Sequence, residues 1–240
     1  MKSSFIYVDL QFDLIILSLN TIQYKKRVQK IMKKIVVLGV LIMMVGAVLS
    51  GVSAFAKEKD KVQPSKEVDI VLPNPDKNGG MPLMKALNNR RTEREFSTQQ
   101  MSKRMLSNLL WAANGINRED GRRTAPTARN KQEIEVYVIW NKAAYWYDAR
   151  KNKLDYIKAT DISSVPVMLV YVGDLLKQSK ELSFVDSGFI GQNVYLFCAS
   201  NNLSTVFKAN VEREKLAGEL DLISSQEVLF TQEVGYPKKK

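Results

Sequence analysis

The stretch "VPVMLVYVG", residues 165–173, is apolar at almost every position. A strand with one wet face alternates polar and apolar residues, so an unbroken apolar run predicts a central strand. Other strands can be read around it. "EIEVYVIW" (133–140) alternates as a strand should, and "AAYWYDA" (143–149) follows at hairpin distance across Asn141 and Lys142. "QEVLFTQEVGYP" (226–237) is a last strand. Helices fall between and before them. Residues 81–89 begin one, with Pro82 in its first turn. Met101, Met105, Leu106, Leu109, Leu110 and Ala113 recur at helical spacing, with Ser102 as N-cap and Gly115 as C-terminal stop. "DSGFIGQNVYLFCASNN" (186–202) predicts a buried helix opened by Asp186, and 211–222 a polar amphipathic one. Helices and strands mix without βα alternation and without internal repeats, which predicts one α+β domain over 81–240.

The N-terminal part has a different character. From Met32 the chain shows two lysines, an apolar run from Ile35 to Val48, and Ala54, Phe55 and Ala56 before charged residues. These are the parts of a signal peptide (32–56) cleaved after Ala56, with a transmembrane anchor as the alternative. Residues 1–31 then read as an extension from an upstream start, or as a real extension with an apolar patch at 5–19. Residues 57–80, charged and then rich in Pro, Asn and Gly, read as a linker. The expected location is periplasmic or secreted, with no stable membrane anchor after cleavage. Beyond residue 56 the chain has 29 Lys and Arg against 23 Asp and Glu. That mild excess does not by itself indicate nucleic acid, and it suits an anionic small molecule.

The chain contains no histidine and a single cysteine, Cys198. Ser-His-Asp catalysis, Cys-His catalysis and histidine-ligated zinc are therefore excluded, and no metal site is expected. Cys198, in an apolar helical stretch, reads as a buried thiol. An enzyme of this composition would take its chemistry from a bound organic cofactor.

"NNRRTEREF" (88–96) places Arg90, Arg91 and Arg94 together with Thr92. Their planar forks suit bidentate contact with phosphate oxygens. The alternative is a solvated helical ladder in which Arg91 pairs with Glu95. In "RTAPTARNKQ" (123–132), Thr127 could cap a short helix, and Asn130 and Gln132 offer amides suited to a heteroaromatic edge. A plain polar loop is the alternative. Gln192 and Asn193, in the helix, read as structural hydrogen-bonding groups, with Gly188 and Gly191 permitting close packing.

These stretches resemble the FMN-dependent nitroreductase family. "NNRRTEREF" is similar to its "RRSxRxF" element, and "APTARNKQ" to its "PSAxNxQ" element. "DSGFIGQNVYLFCASNNLSTVF" is similar to its Gln-Asn helix and following turn, and "VLFTQEVGYPK" to its closing strand. The elements occur in family order over roughly 82–238. "RTAPTA…EVYV…YWYD" is also similar to the subgroup that oxidises thiazolines and oxazolines in peptides. The resemblance implies an α+β fold, a mixed sheet flanked by helices, and a homodimer with FMN at the subunit interface. It puts Arg90, Arg91, Thr92 and Arg94 on the phosphate and ribityl side. Thr127, Asn130 and Gln132 fall by the flavin, and Thr205, Val206 and Lys208 on a turn beside its ring. "NNLSTVFK" lacks the family's turn glycines, and the later basic residue that many members use on the phosphate is absent unless Lys238 serves. The implied function is hydride transfer through FMN N5, from NADH or NADPH to an electron-poor small-molecule acceptor. A secreted flavin-binding protein without turnover is the competing class.

Overall fold

The computed structural model describes residues 68–238. The segments read as an extension and a signal peptide, and residues 57–67 of the segment read as a linker, lie outside the described residues.

Seven strands form one sheet: β1 (Ile70–Val71), β2 (Ile134–Trp140), β3 (Ala143–Asp148), β4 (Lys153–Ala159), β5 (Val167–Asp174), β6 (Ser204–Lys208) and β7 (Gln226–Gly235). Their order across the sheet is β1-β4-β3-β2-β5-β7-β6. The four helices are α1 (Leu83–Asn89), α2 (Lys103–Asn114), α3 (Lys180–Ser200) and α4 (Arg213–Glu219). The α+β class is as expected, and every pairing in the sheet is antiparallel where the resemblance implies a mixed one.

One face of the sheet packs Val138, Leu169 and Tyr171 against Leu106, Leu109 and Leu110 of α2 and Ile190, Val194 and Cys198 of α3. The other packs Tyr137, Ile139, Val170 and Val172 against Leu216 and Leu220. Both faces of β5 are therefore covered, which explains its unbroken apolar run. Asn141 and Lys142 make the β2–β3 turn with φ of 49° and 59°. Two left-handed residues give the primed turn whose twist matches an antiparallel hairpin.

Ser102 caps α2 by accepting the Met105 N–H, as expected. Gly115 does end that helix, but its φ is −75°, not left-handed. Glycine is needed there for space, because a Cβ would lie 2.4 Å from the Trp111 ring and 2.7 Å from the Trp111 backbone. The helix expected to open at Asp186 begins earlier, capped by Ser179, and Asp186 is buried inside it. Gly191 does pack closely, against Phe207, whereas Gly188 faces open space and Gln192 is exposed. Asn193 donates to the Ala113 carbonyl across to α2. The last part of the segment read as a linker also belongs to the domain. β1 pairs with β4, and Leu72 is buried, its N–H donating to the Asn152 carbonyl.

Candidate anion-binding site

Helix α1 stops at Asn89, and Arg90 turns the chain into an extended conformation with φ −57° and ψ 122°. The arginines that follow are not on a helix, so the ladder pairing of Arg91 with Glu95 does not form. The Arg91 Nε instead donates to the Glu93 carboxylate at 2.6 Å. The segment is held along β6 and the end of β7. The Glu93 N–H donates to the Thr205 carbonyl, Glu93 also accepts from the Ser204 hydroxyl at 2.6 Å, and the Ser97 N–H donates to the Tyr236 carbonyl. A further bridge joins Phe96 to Pro237.

Tyr195 supports the segment from α3. Its hydroxyl lies 3.0 Å from the Thr92 hydroxyl and accepts the Phe207 N–H at 3.0 Å. The Arg90 guanidinium sits 5.3 Å from the centre of the Tyr195 ring. Arg91, Tyr195, Asn89 and Thr205 help line a cavity of about 270 Å³. Arg94 is exposed and forms no ion pair among the described residues. Lys238 is exposed beside Pro237, which lines the same cavity. Three arginines and a threonine thus follow one another along a short extended stretch, with Arg91 and Asn89 on the cavity wall, residue types suited to a dianion.

The second cluster is the 127–132 loop. Arg129, Asn130 and Gln132 have φ of 55°, 55° and 49°, three left-handed residues of which none is glycine. Such backbone costs roughly 1 kcal/mol or more per residue and collects at functional sites. Side chains within the loop hold it. Thr127 does precede a short 3₁₀ turn, Ala128–Asn130, and its hydroxyl accepts the Gln132 N–H. Thr127 keeps its own hydroxyl hydrogen for another acceptor. The Gln132 amide donates to the Asn130 carbonyl oxygen and accepts from the Arg123 Nε. Gln132 is therefore spent on orienting its neighbours, and the Asn130 amide nitrogen is left to donate outward. Asn130 and Gln132 line a separate cavity of about 500 Å³, together with Arg123, Glu135, Tyr147 and Lys177.

Behind the loop, Asp186 accepts the Ala128 N–H at 2.9 Å. Beside it stands Glu133, fully buried at the start of β2. Burial, and then the neighbouring Asp186, push the Glu133 carboxyl up to about 7. Cys198 is buried as expected, and burial pushes its thiol well above its ordinary value.

The third expected group sits differently from the reading. Residues 204–208 form strand β6, not a turn. The Thr205 hydroxyl donates to the Glu233 carbonyl, and both Thr205 and Val206 are buried in the sheet. Lys208 pairs with Glu233 at 2.5 Å. The structure joins Thr205 to the arginine segment through its backbone carbonyl, and leaves the 127–132 loop in its own cavity. Tyr195, Glu93, Ser204 and Arg123 were missed from sequence. Tyr195 carried a signal, a hydroxyl in an otherwise apolar helical stretch, but an aromatic residue there reads as core.

A helix-flanked antiparallel sheet with an arginine segment along its β6 edge defines an α+β protein with a candidate anion site. Residues 87–167 match the profile of the Nitroreductase family. A crystal structure of a provisionally named nitroreductase from Ralstonia eutropha is 32% identical, with a TM-score of 0.69 over 75% of this chain and 97% of that one. Another, from Anabaena variabilis, shares the fold at 16% identity and TM-score 0.60, over 78% of this chain and 45% of its own. A provisionally named nitroreductase of Methanocaldococcus jannaschii is 25% identical over 144 residues, 49% of this chain and 73% of its own length. The chain belongs to the nitroreductase family of oxidoreductases.

Proposed function

We propose that this chain is an exported FMN-dependent oxidoreductase, active as a homodimer with FMN bound between subunits. The observation that carries the reading is the 90–94 segment, turned off its helix and pinned beside a cavity that Arg91 lines. The chemistry supplied by bound FMN is hydride transfer through its N5, from NADH or NADPH to an electron-poor small-molecule acceptor. The chain's own part is binding and orientation. Arg90, Arg91, Arg94 and Thr92 hold the phosphate, with Lys238 near enough in sequence to the cavity wall to add charge. Thr127 and Asn130 present donors to the ring's edge, and Gln132 and Arg123 fix Asn130 in place. Positioning of this kind needs no side-chain acid or base, which suits a chain without histidine.

Two features support the dimer. Leu83, Met84 and Leu87 of α1 and Val185 and Phe189 of α3 are exposed apolar residues, and α1 packs against α3. An apolar surface of that kind marks an interaction face. The two donor clusters also sit on separate cavities within one chain, and a site shared between copies accounts for both. Export rests on the sequence from Met32 to Ala56.

Protein produced from Met32 should be recovered with Lys57 at its N-terminus, dimeric by light scattering, and with the visible absorbance of a flavin. Anaerobic NADH or NADPH should bleach that absorbance. Protein that stays colourless after incubation with FMN would overturn the cofactor reading. A flavin that no reduced nicotinamide bleaches would favour a binder without turnover.

A further inference from the structure

We infer that Tyr195 is a positioning residue that fixes Thr92 as a hydrogen-bond donor to the phosphate, an assignment that rests on the FMN reading above. The argument follows the hydrogens. A tyrosine hydroxyl has one hydrogen to give and lone pairs to accept with. The backbone N–H of Phe207 can only donate, and it points at the Tyr195 oxygen from 3.0 Å. The other partner of that oxygen is the Thr92 hydroxyl, also at 3.0 Å. Two arrangements remain. If Thr92 donated to Tyr195, the tyrosine oxygen would accept twice and its hydrogen would find no acceptor among the described residues. If Tyr195 donates to Thr92, the hydrogen left over is instead that of the more exposed Thr92. Thr92 is exposed, so that hydrogen faces an acceptor outside the protein. A phosphate held by Arg90, Arg91 and Arg94 is such an acceptor, and its charge favours the second arrangement.

The rest of Tyr195 serves the same end. Its ring lies against the Arg90 guanidinium, 5.3 Å from centroid to Cζ, a cation–π contact that uses none of the guanidinium N–H groups. Through Phe207 it ties the segment to β6, and through its own backbone to α3. One side chain therefore sets the donor direction of Thr92 and supports Arg90.

The test compares FMN with riboflavin, which lacks the phosphate, by quenching of flavin fluorescence. It uses the parent, Tyr195→Phe, Thr92→Val and the double variant. Phenylalanine keeps the ring under Arg90 and removes only the hydroxyl. Tyr195→Phe should weaken FMN binding about five- to tenfold and leave riboflavin unchanged. Thr92→Val should do the same, and the double variant should be no weaker than Thr92→Val alone within about twofold, because both changes remove one hydrogen-bond chain. Equal losses for FMN and riboflavin in Tyr195→Phe, no loss of FMN binding, or additive losses in the double variant would overturn the assignment. A parent that binds FMN no better than riboflavin would overturn the phosphate reading itself, a separate outcome.

Discussion

In the 90–94 segment one restraint, Arg91 on Glu93, is internal, and the rest come from outside. β6 accepts its backbone N–H, Ser204 holds Glu93, and Tyr195 holds Thr92 and Arg90. No residue of the segment has positive φ. The 127–132 loop is held largely from within, by Thr127, Asn130 and Gln132 on one another, with one buried carboxylate, Asp186, behind it. It carries three left-handed non-glycine residues in four positions. Both segments rest on α3, which Asp186 and Tyr195 touch nine residues apart, roughly 13 Å along a helix axis. The difference teaches two ways to aim donors. A charged segment can stay relaxed if a packed edge holds it. A loop that must expose an amide stores backbone strain and leans on a buried carboxyl group.

The largest expected effect would break the first support alone. At Gly191 a Cβ would meet the Phe207 ring at 2.6 Å and push β6 away from α3. Gly191→Ala should cost about 2 kcal/mol in urea unfolding, as overpacking does. Gly188→Ala, on the same helix with nothing within 4 Å, should instead gain about 0.5–1 kcal/mol from helix propensity. Equal effects at the two glycines would remove the distinction between a packed edge and an open face.

Next is the loop's buried acceptor. Asp186→Ala leaves the Ala128 N–H without its partner and should cost about 1.5 kcal/mol. The neighbouring Glu133 gives a pH signature. Its carboxyl keeps its proton up to about 7 in the fold, against an ordinary value of 4.5. Between those values the unfolded chain binds fewer protons than the folded one, so stability should fall as pH rises from about 4.5 to about 7, then level off. Glu133→Gln should flatten that slope in chemical unfolding at several pH values. A slope unchanged by the substitution would contradict the buried-carboxyl account.

The smallest effect concerns strain itself. Arg129→Gly, at φ 55°, should raise stability by about 0.5 kcal/mol, because glycine takes left-handed backbone without a Cβ clash. The same substitution at Arg94, which has ordinary backbone, should lower stability slightly or leave it unchanged.

Much of this was legible in the residues. Ser102 and the apolar spacing after it gave α2, the Asn141-Lys142 turn gave the hairpin, and the apolar run at 165–173 gave a central strand. β4 was missed because Lys153, Asp155 and Lys158 make it read as a charged loop. In the fold, Lys153 pairs with Asp69 and Asp155, and Lys158 with Asp221. The start of α3 was missed because Asp186 is itself a good cap residue, and nothing local reveals that it points into a loop 58 residues away. β6 was misread as a turn because the resemblance outweighed "STVFK", whose β-branched and aromatic residues favour a strand. The arginine cluster was visible in sequence. What removed the ladder was where α1 stops, and that depends on tertiary packing of the chain that follows it.

The central claim is that this relaxed, externally held segment grips a phosphate, and Arg91→Ala and Arg94→Ala test it most directly. Each should weaken FMN binding on the order of tenfold to a hundredfold, as the loss of charge-assisted hydrogen bonds implies. Riboflavin should bind each variant as it binds the parent, and the corresponding lysine variants should fall between, keeping the charge but losing the bidentate fork. Equal losses for FMN and riboflavin, or no loss for either, would contradict the account.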